Sequence, residues 1–147
     1  MGAVLMSSKI NKDDINKTTI PIILCSLTPR LNKIIDDSHY YELSLNKLLA
    51  EALVKKDISD RPQSVTDEIM KIIASIHETV ILTDYEMLFD PRYKMDVIRL
   101  FYEISRRAKI LVKWCGTIND NRLEYATPAH KDFHTYNIQD YDIICVI

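Results

Sequence analysis

Four short segments of this chain each carry an unbroken run of three or more apolar residues. They are 20–25 (Ile-Pro-Ile-Ile-Leu-Cys), 79–84 (Thr-Val-Ile-Leu-Thr-Asp), 109–115 around Ile110, Leu111 and Val112, and 143–147 (Ile-Ile-Cys-Val-Ile). A strand with one wet face alternates apolar and polar residues, whereas a strand without that alternation must be covered on both faces. Between these segments the period becomes helical. The helix predicted over 64–75 puts Val65, Ile69, Ile72 and Ile73 on one face, with Ile76 just beyond. A stronger one over 93–107 turns Met95, Ile98, Phe101, Tyr102 and Ile104 inward. Twice-covered strands alternating with helices predict a three-layer α/β fold on a parallel-rich sheet. With 147 residues the chain is long enough for one such domain with its own core.

The remaining segments fill in around that sheet. Residues 1–17 are polar and mixed in charge, and read as a loose tail or one short helix ahead of a domain spanning 18–147. Thr28-Pro29 starts a helix running to Ile35, with Pro29 in the first turn. A strand over 38–43 follows, then a helix over 45–54 capped by Ser44. Residues 55–63 form a polar connection containing Arg61 and Pro62, and Ser64 with Asp67 approaches a capping box. Beyond Gly116, Asn119-Asp120-Asn121 signals a turn, and 123–126 and 143–147 add C-terminal edge strands.

Glycine is what the chain lacks. Gly2 and Gly116 are its only two. A loop that wraps phosphate needs a backbone free of β-carbons. The chain therefore carries neither the dinucleotide fingerprint nor a Walker loop. Yet a strand ending on Asp84, then a helix and a further strand, is the back half of a P-loop-NTPase-like sheet. In such a sheet the cradle follows the first strand. Here Ser26-Leu27-Thr28-Pro29-Arg30 follows it, with nothing resembling G-x-x-x-x-G-K-[ST]. The expectation is a scaffold used for binding, not hydrolysis, with no catalytic residue assigned.

Asp84 is the candidate Mg²⁺-side acid, with Glu86 as the nearby carboxylate that would orient a water. The bland alternative is that Asp84 caps the next turn. Arg106 is the candidate phosphate-facing guanidinium, while Arg107 suits a helix C-terminus. His130 and His134 stand four apart, a zinc spacing only if that segment is helical. The three cysteines, Cys25, Cys115 and Cys145, lie at strand ends without paired spacing, as free thiols do in a reducing cytosol. The eight tyrosines include Tyr125, Tyr136 and Tyr141 in the last quarter, suited to a protein interface or to edge packing. Net charge is -2, which argues against a broadly basic nucleic-acid surface. With no signal segment and no membrane-length apolar run, the chain reads as cytoplasmic.

Several short motifs follow one another in a specific order. They are Asn46, Arg61-Pro62, the strand ending at Asp84, Leu88-Phe89-Asp90-Pro91, Ile104-Ser105-Arg106, Trp114-Cys115-Gly116 and Leu123-Glu124-Tyr125-Ala126-Thr127-Pro128-Ala129-His130. From about residue 40 onward this combination resembles BrxF, the small P-loop protein family of the third type of BREX bacteriophage-exclusion system. The resemblance implies a P-loop ATPase-like fold and a part in phage defence. Asp84 and Arg106 match the family's acidic strand end and its arginine before the last central strand. The family's glycine-rich loop has no counterpart at 25–35, so ATP hydrolysis is not carried over.

Three readings stand side by side. One is a non-hydrolysing subunit of a defence complex acting by protein contact, with other defence proteins or further copies of itself as partners. Another is an ATP- and Mg²⁺-binding NTPase whose cradle is the amino end of the helix at Thr28. The last is a DNA-binding accessory protein using a basic stripe of Arg92, Lys94, Arg99, Arg106, Arg107 and Lys109. Arg92, Arg99 and Arg106 would share one face if the helix reached back to Arg92.

Overall fold

The computed structural model of the chain describes residues 1–54 and 61–147. The first half contains β1 (Ala3–Leu5), α1 (Lys12–Lys17), β2 (Ile22–Leu24), α2 (Pro29–Ser38), β3 (Tyr41–Ser44) and α3 (Leu45–Leu53). The second contains α4 (Arg61–Ala74), β4 (Val80–Thr83), α5 (Val97–Ser105), β5 (Ile110–Lys113), β6 (Thr117–Asn119), β7 (Arg122–Tyr125), β8 (His134–Asn137) and β9 (Ile144–Val146). Six strands form one sheet in the order β1-β9-β2-β5-β4-β3, every pair parallel. Strands β6, β7 and β8 form a separate antiparallel sheet.

The unbroken apolar runs are explained by their two covers. Ile22, Leu24, Ile81, Leu111 and Val146 pack with Ile15 of α1 and Leu31 of α2 on one face. Ile23, Val80, Leu82, Ile110, Val112 and Cys145 pack on the other face, with α3, α4 and α5. The small sheet joins this second face through Leu123 and Tyr136. The step from β2 to β3 crosses the first face. The steps from β3 to β4 and β4 to β5 run the opposite way along the sheet and cross the second. Opposite steps on opposite faces keep a single hand of crossover, as parallel βαβ units require. Among the described residues no helix is long and apolar enough to cross a membrane.

Several local expectations are corrected. The first 17 residues are not a loose tail: β1 pairs along β9, and α1 is the one short helix, closed by a capping box between Asn11 and Asp14. The C-terminal strand is not at an edge. β9 lies between β1 and β2, and β1 is the edge. Helix α4 is described from Arg61 onward, so Ser64 is interior and not a cap. Residues 55–60 of the expected polar connection lie outside the described residues. Helix α5 starts at Val97 instead of 93, because Lys94 takes a left-handed φ of 48° and Asp96 accepts the Arg99 N–H at 3.0 Å as the cap. Both glycines serve close backbone approach. A β-carbon on Gly2 would collide with the Ile138 carbonyl, and one on Gly116 with the Glu124 carbonyl.

Candidate functional site

Strands β3, β4 and β5 end side by side, and ligands of open parallel sheets gather beyond such carboxyl ends. A shallow cleft of about 350 Å³ lies there, lined by Glu42, Thr83, Asp84, Glu86, Lys113 and Cys115 among others. Asp84 leaves β4 with φ 49°, a left-handed turn that aspartate tolerates better than most residues. The Ser44 hydroxyl donates to its carboxylate at 2.5 Å. The Asp84 carbonyl accepts the Asn46 N–H at 2.5 Å. Asn46 continues the clamp, donating through Nδ2 to Glu86 at 2.9 Å and accepting the Met87 N–H at 3.2 Å.

Asp84 and Glu86 line the same cleft, on a loop fastened to the junction of β3 and α3. Asp84 does not cap the turn after it, which has no side-chain cap. Ser44 in turn does not cap α3, because its hydroxyl is engaged by Asp84. Asn46 belongs to the motifs noted above, but nothing in its spacing announced that it would hold Glu86.

Beneath the loop, Tyr85 is fully buried. Its hydroxyl donates to the Lys113 carbonyl at 2.7 Å and accepts the Cys115 N–H at 3.2 Å, which joins the ends of β4 and β5. Burial, reinforced by the neighbouring Cys115, raises the Tyr85 phenol far above its ordinary range. Burial also pushes the Cys115 thiol up to about 11. At neutral pH neither group is a base or a nucleophile. The Lys113 ammonium stands 3.7 Å from Glu42.

The amino end of α2 does not fit a nucleotide phosphate. Such a cradle needs several free backbone N–H groups. Pro29 has none, and Thr28 Oγ1 accepts the Leu31 N–H at 3.3 Å. The Asn32 N–H is spent on the Thr28 carbonyl, which leaves only that of Arg30 in the first turn. The Arg30 guanidinium is turned to the Ser7 and Ile10 carbonyls, both at 2.7 Å. The Cys25 N–H, where a phosphate loop would begin, is bonded to Val146 in the sheet. The first turn of α2 thus offers a nucleotide phosphate a single free N–H, that of Arg30.

The predicted arginines are scattered. Arg106 ends α5 and precedes β5, so it lies at the amino ends of the strands, opposite Asp84. There it pairs loosely with Glu103 at 3.8 Å. Arg92 is outside the helix and forked onto Asp90, at 2.7 and 3.1 Å; this guanidinium holds the Asp90 carboxyl below its ordinary range. Arg99 stands 3.8 Å from Asp96. The seven-residue stripe is thus broken by the late start of α5, and three of its arginines face carboxylates. Lys94 is exposed at its left-handed turn, and Arg107 stays with Arg106 at the end of α5.

The histidine pair is not helical. His130 Nδ1 accepts the Asp132 N–H at 3.0 Å and His134 opens β8. Among the described residues no group of three or more His, Cys, Asp or Glu is arranged to hold a metal ion. The late tyrosines pack inward or along edges. Tyr125 stacks on Phe89 at 3.9 Å, and Tyr141 donates to Asp96 at 2.8 Å. Tyr125 fastens the small sheet to the loop after β4, and Tyr141 ties the segment leading into β9 to the start of α5.

Fold and site together define an α/β protein with a six-stranded parallel sheet and a clamped acidic strand end. Compared with known proteins, the chain matches no family model, no curated protein and no solved structure.

Proposed function

We propose that this chain is an accessory subunit of a BREX-type antiphage defence system in the cytoplasm. It would be a P-loop-NTPase-like domain without a working phosphate loop, acting through contacts with other defence proteins instead of hydrolysis. The ordered motifs from Asn46 to His130 support the family. One observation carries the non-hydrolysing part. The amino end of α2, the position of a phosphate cradle, is closed by its own Thr28 cap and by Pro29. The clamped Asp84 and Glu86 fit the same reading, since their neighbours Ser44 and Asn46 use them to fix a loop.

Phage plating on cells carrying the defence system tests this. Deleting the gene is expected to abolish protection, whereas Glu86→Gln is expected to keep it. A Glu86→Gln protein that accumulates normally yet protects no better than the deletion would mean that the carboxylate does chemistry.

A further inference from the structure

A second cleft opens at the opposite end of the sheet. Strands β2 and β5 are paired neighbours, so the segments entering them, 18–20 and 106–109, lie side by side. Between them runs an open groove of about 520 Å³. Its charged lining residues are Arg106, Arg107 and Lys109, and no carboxylate lines it. Thr19 and Tyr102 add hydroxyls, while that of Ser105 is spent on the Tyr102 carbonyl at 2.6 Å.

The three cations are not equally committed. Lys109 Nζ donates to the Asn16 and Thr18 carbonyls at 2.7 and 2.6 Å, which fixes its charge in the groove wall. Arg106 is only loosely paired with Glu103 across 3.8 Å, and both are exposed. An exposed pair at that distance holds little energy. The Arg107 side chain has no partner among the described residues. Helix ends account for part of this charge, because α1 and α5 both finish here with their carbonyl ends outward. Lys109 answers α1 and one arginine would answer α5, so the second is surplus. On a chain of net charge -2, three cations line this groove without a carboxylate. Arg106 and Arg107 also border a neighbouring cavity that holds Asp67 and Glu103, and within the groove itself the cations favour phosphate. Tyr102 lines the same groove half-exposed, its hydroxyl unbonded among the described residues. Cations that track a backbone beside an aromatic ring are the combination that holds an unpaired strand.

We propose that this groove binds single-stranded nucleic acid, with phosphates at Arg106, Arg107 and Lys109 and a base against Tyr102. The inference does not depend on the reading of the strand-end site above.

Fluorescence anisotropy of the full chain with a labelled oligothymidylate, titrated over salt, tests it. Arg106→Gln with Arg107→Gln is expected to weaken binding at least about tenfold and to flatten the salt dependence by roughly 0.7 for each phosphate no longer neutralised. Arg92→Gln with Arg99→Gln removes the same charge elsewhere and is expected to leave binding within about twofold. Tyr102→Leu is expected to weaken binding several-fold without changing the salt slope. Arg106→Lys with Arg107→Lys keeps the charge and is expected to retain most of the binding, which separates lost charge from a lost fold. The proposal is overturned if the wild-type chain does not bind at low salt, or if both glutamine pairs weaken binding equally. It is also overturned if a duplex binds as tightly as the single strand, or if thymidine monophosphate competes at equal nucleotide concentration, which would make this a free-nucleotide site.

Discussion

The Ser44 hydroxyl donates to the Asp84 carboxylate at 2.5 Å, latching the end of β3 to the end of β4. The latch works because Asp84 turns the chain left-handed at φ 49°. Two costs therefore meet in Asp84→Ala. It loses a hydrogen bond to a carboxylate, and it puts a residue with no local side-chain bond into the left-handed region. Asp84→Ala is expected to lower stability by about 2 kcal/mol. Asp84→Gly should lose less, because glycine takes the turn freely. Urea unfolding of the two variants checks this, and equal losses would show that the turn carries no strain.

Tyr85 makes a sharper prediction, because its hydroxyl serves two backbone groups in the core. Tyr85→Phe would leave the Lys113 carbonyl and the Cys115 N–H without that partner. The expected loss is about 2 kcal/mol, measured by chemical unfolding. A loss within experimental error would mean that β5 relaxes to satisfy both groups elsewhere.

Alkaline pH should weaken the fold through the same cluster. The Cys115 thiol is raised from an ordinary 9.0 to about 11, and burial raises Tyr85 further. A raised acid stays protonated in the native state after the unfolded chain has begun to lose its proton. Its stabilisation is complete below the unfolded value and is lost as pH rises through the folded one. Stability from these groups should be flat from neutral pH to near 9 and then fall toward 11, with the urea midpoint as readout. A thiol reagent at about pH 8 should meanwhile label the half-exposed Cys25 before the raised Cys115 and the buried Cys145.

The first residues form part of the sheet. Gly2 is buried against the Ile138 carbonyl and β1 covers the edge of β9. Gly2→Ala should therefore destabilise by about 1–3 kcal/mol, as overpacking does, and removing residues 1–9 should cost more. Calorimetric unfolding checks both, and a truncated chain as stable as the whole would restore the tail reading.

The sequence made the layered sheet legible because burial on both faces erases polar alternation in β2, β4, β5 and β9. It hid β1, an apolar edge strand of only three residues, and β8, which is mostly polar: of β8 only Tyr136 is buried. Helix limits slipped wherever one residue overrode the period, as Lys94 does ahead of α5. At the site, Asp84 and Glu86 were readable from their strand end. Their holders were not. Ser44 looks like a helix cap in sequence, and only the register of β3 on β4 brings it to Asp84. Arg106 was readable as a partner of the Asp84 end only for lack of topology. A helix running back to the amino edge carries its last residue away from the acidic end.

The closed start of α2 is tested most directly by thermal shift with Mg²⁺ and ATP, ADP or GTP at millimolar concentration. The account predicts no shift with any of them. A nucleotide at one hundred times its Kd would stabilise the fold by about 2.7 kcal/mol, several degrees for a domain of this size. A shift of that order, present in the wild-type chain and absent in Asp84→Ala measured against its own baseline, would contradict the account.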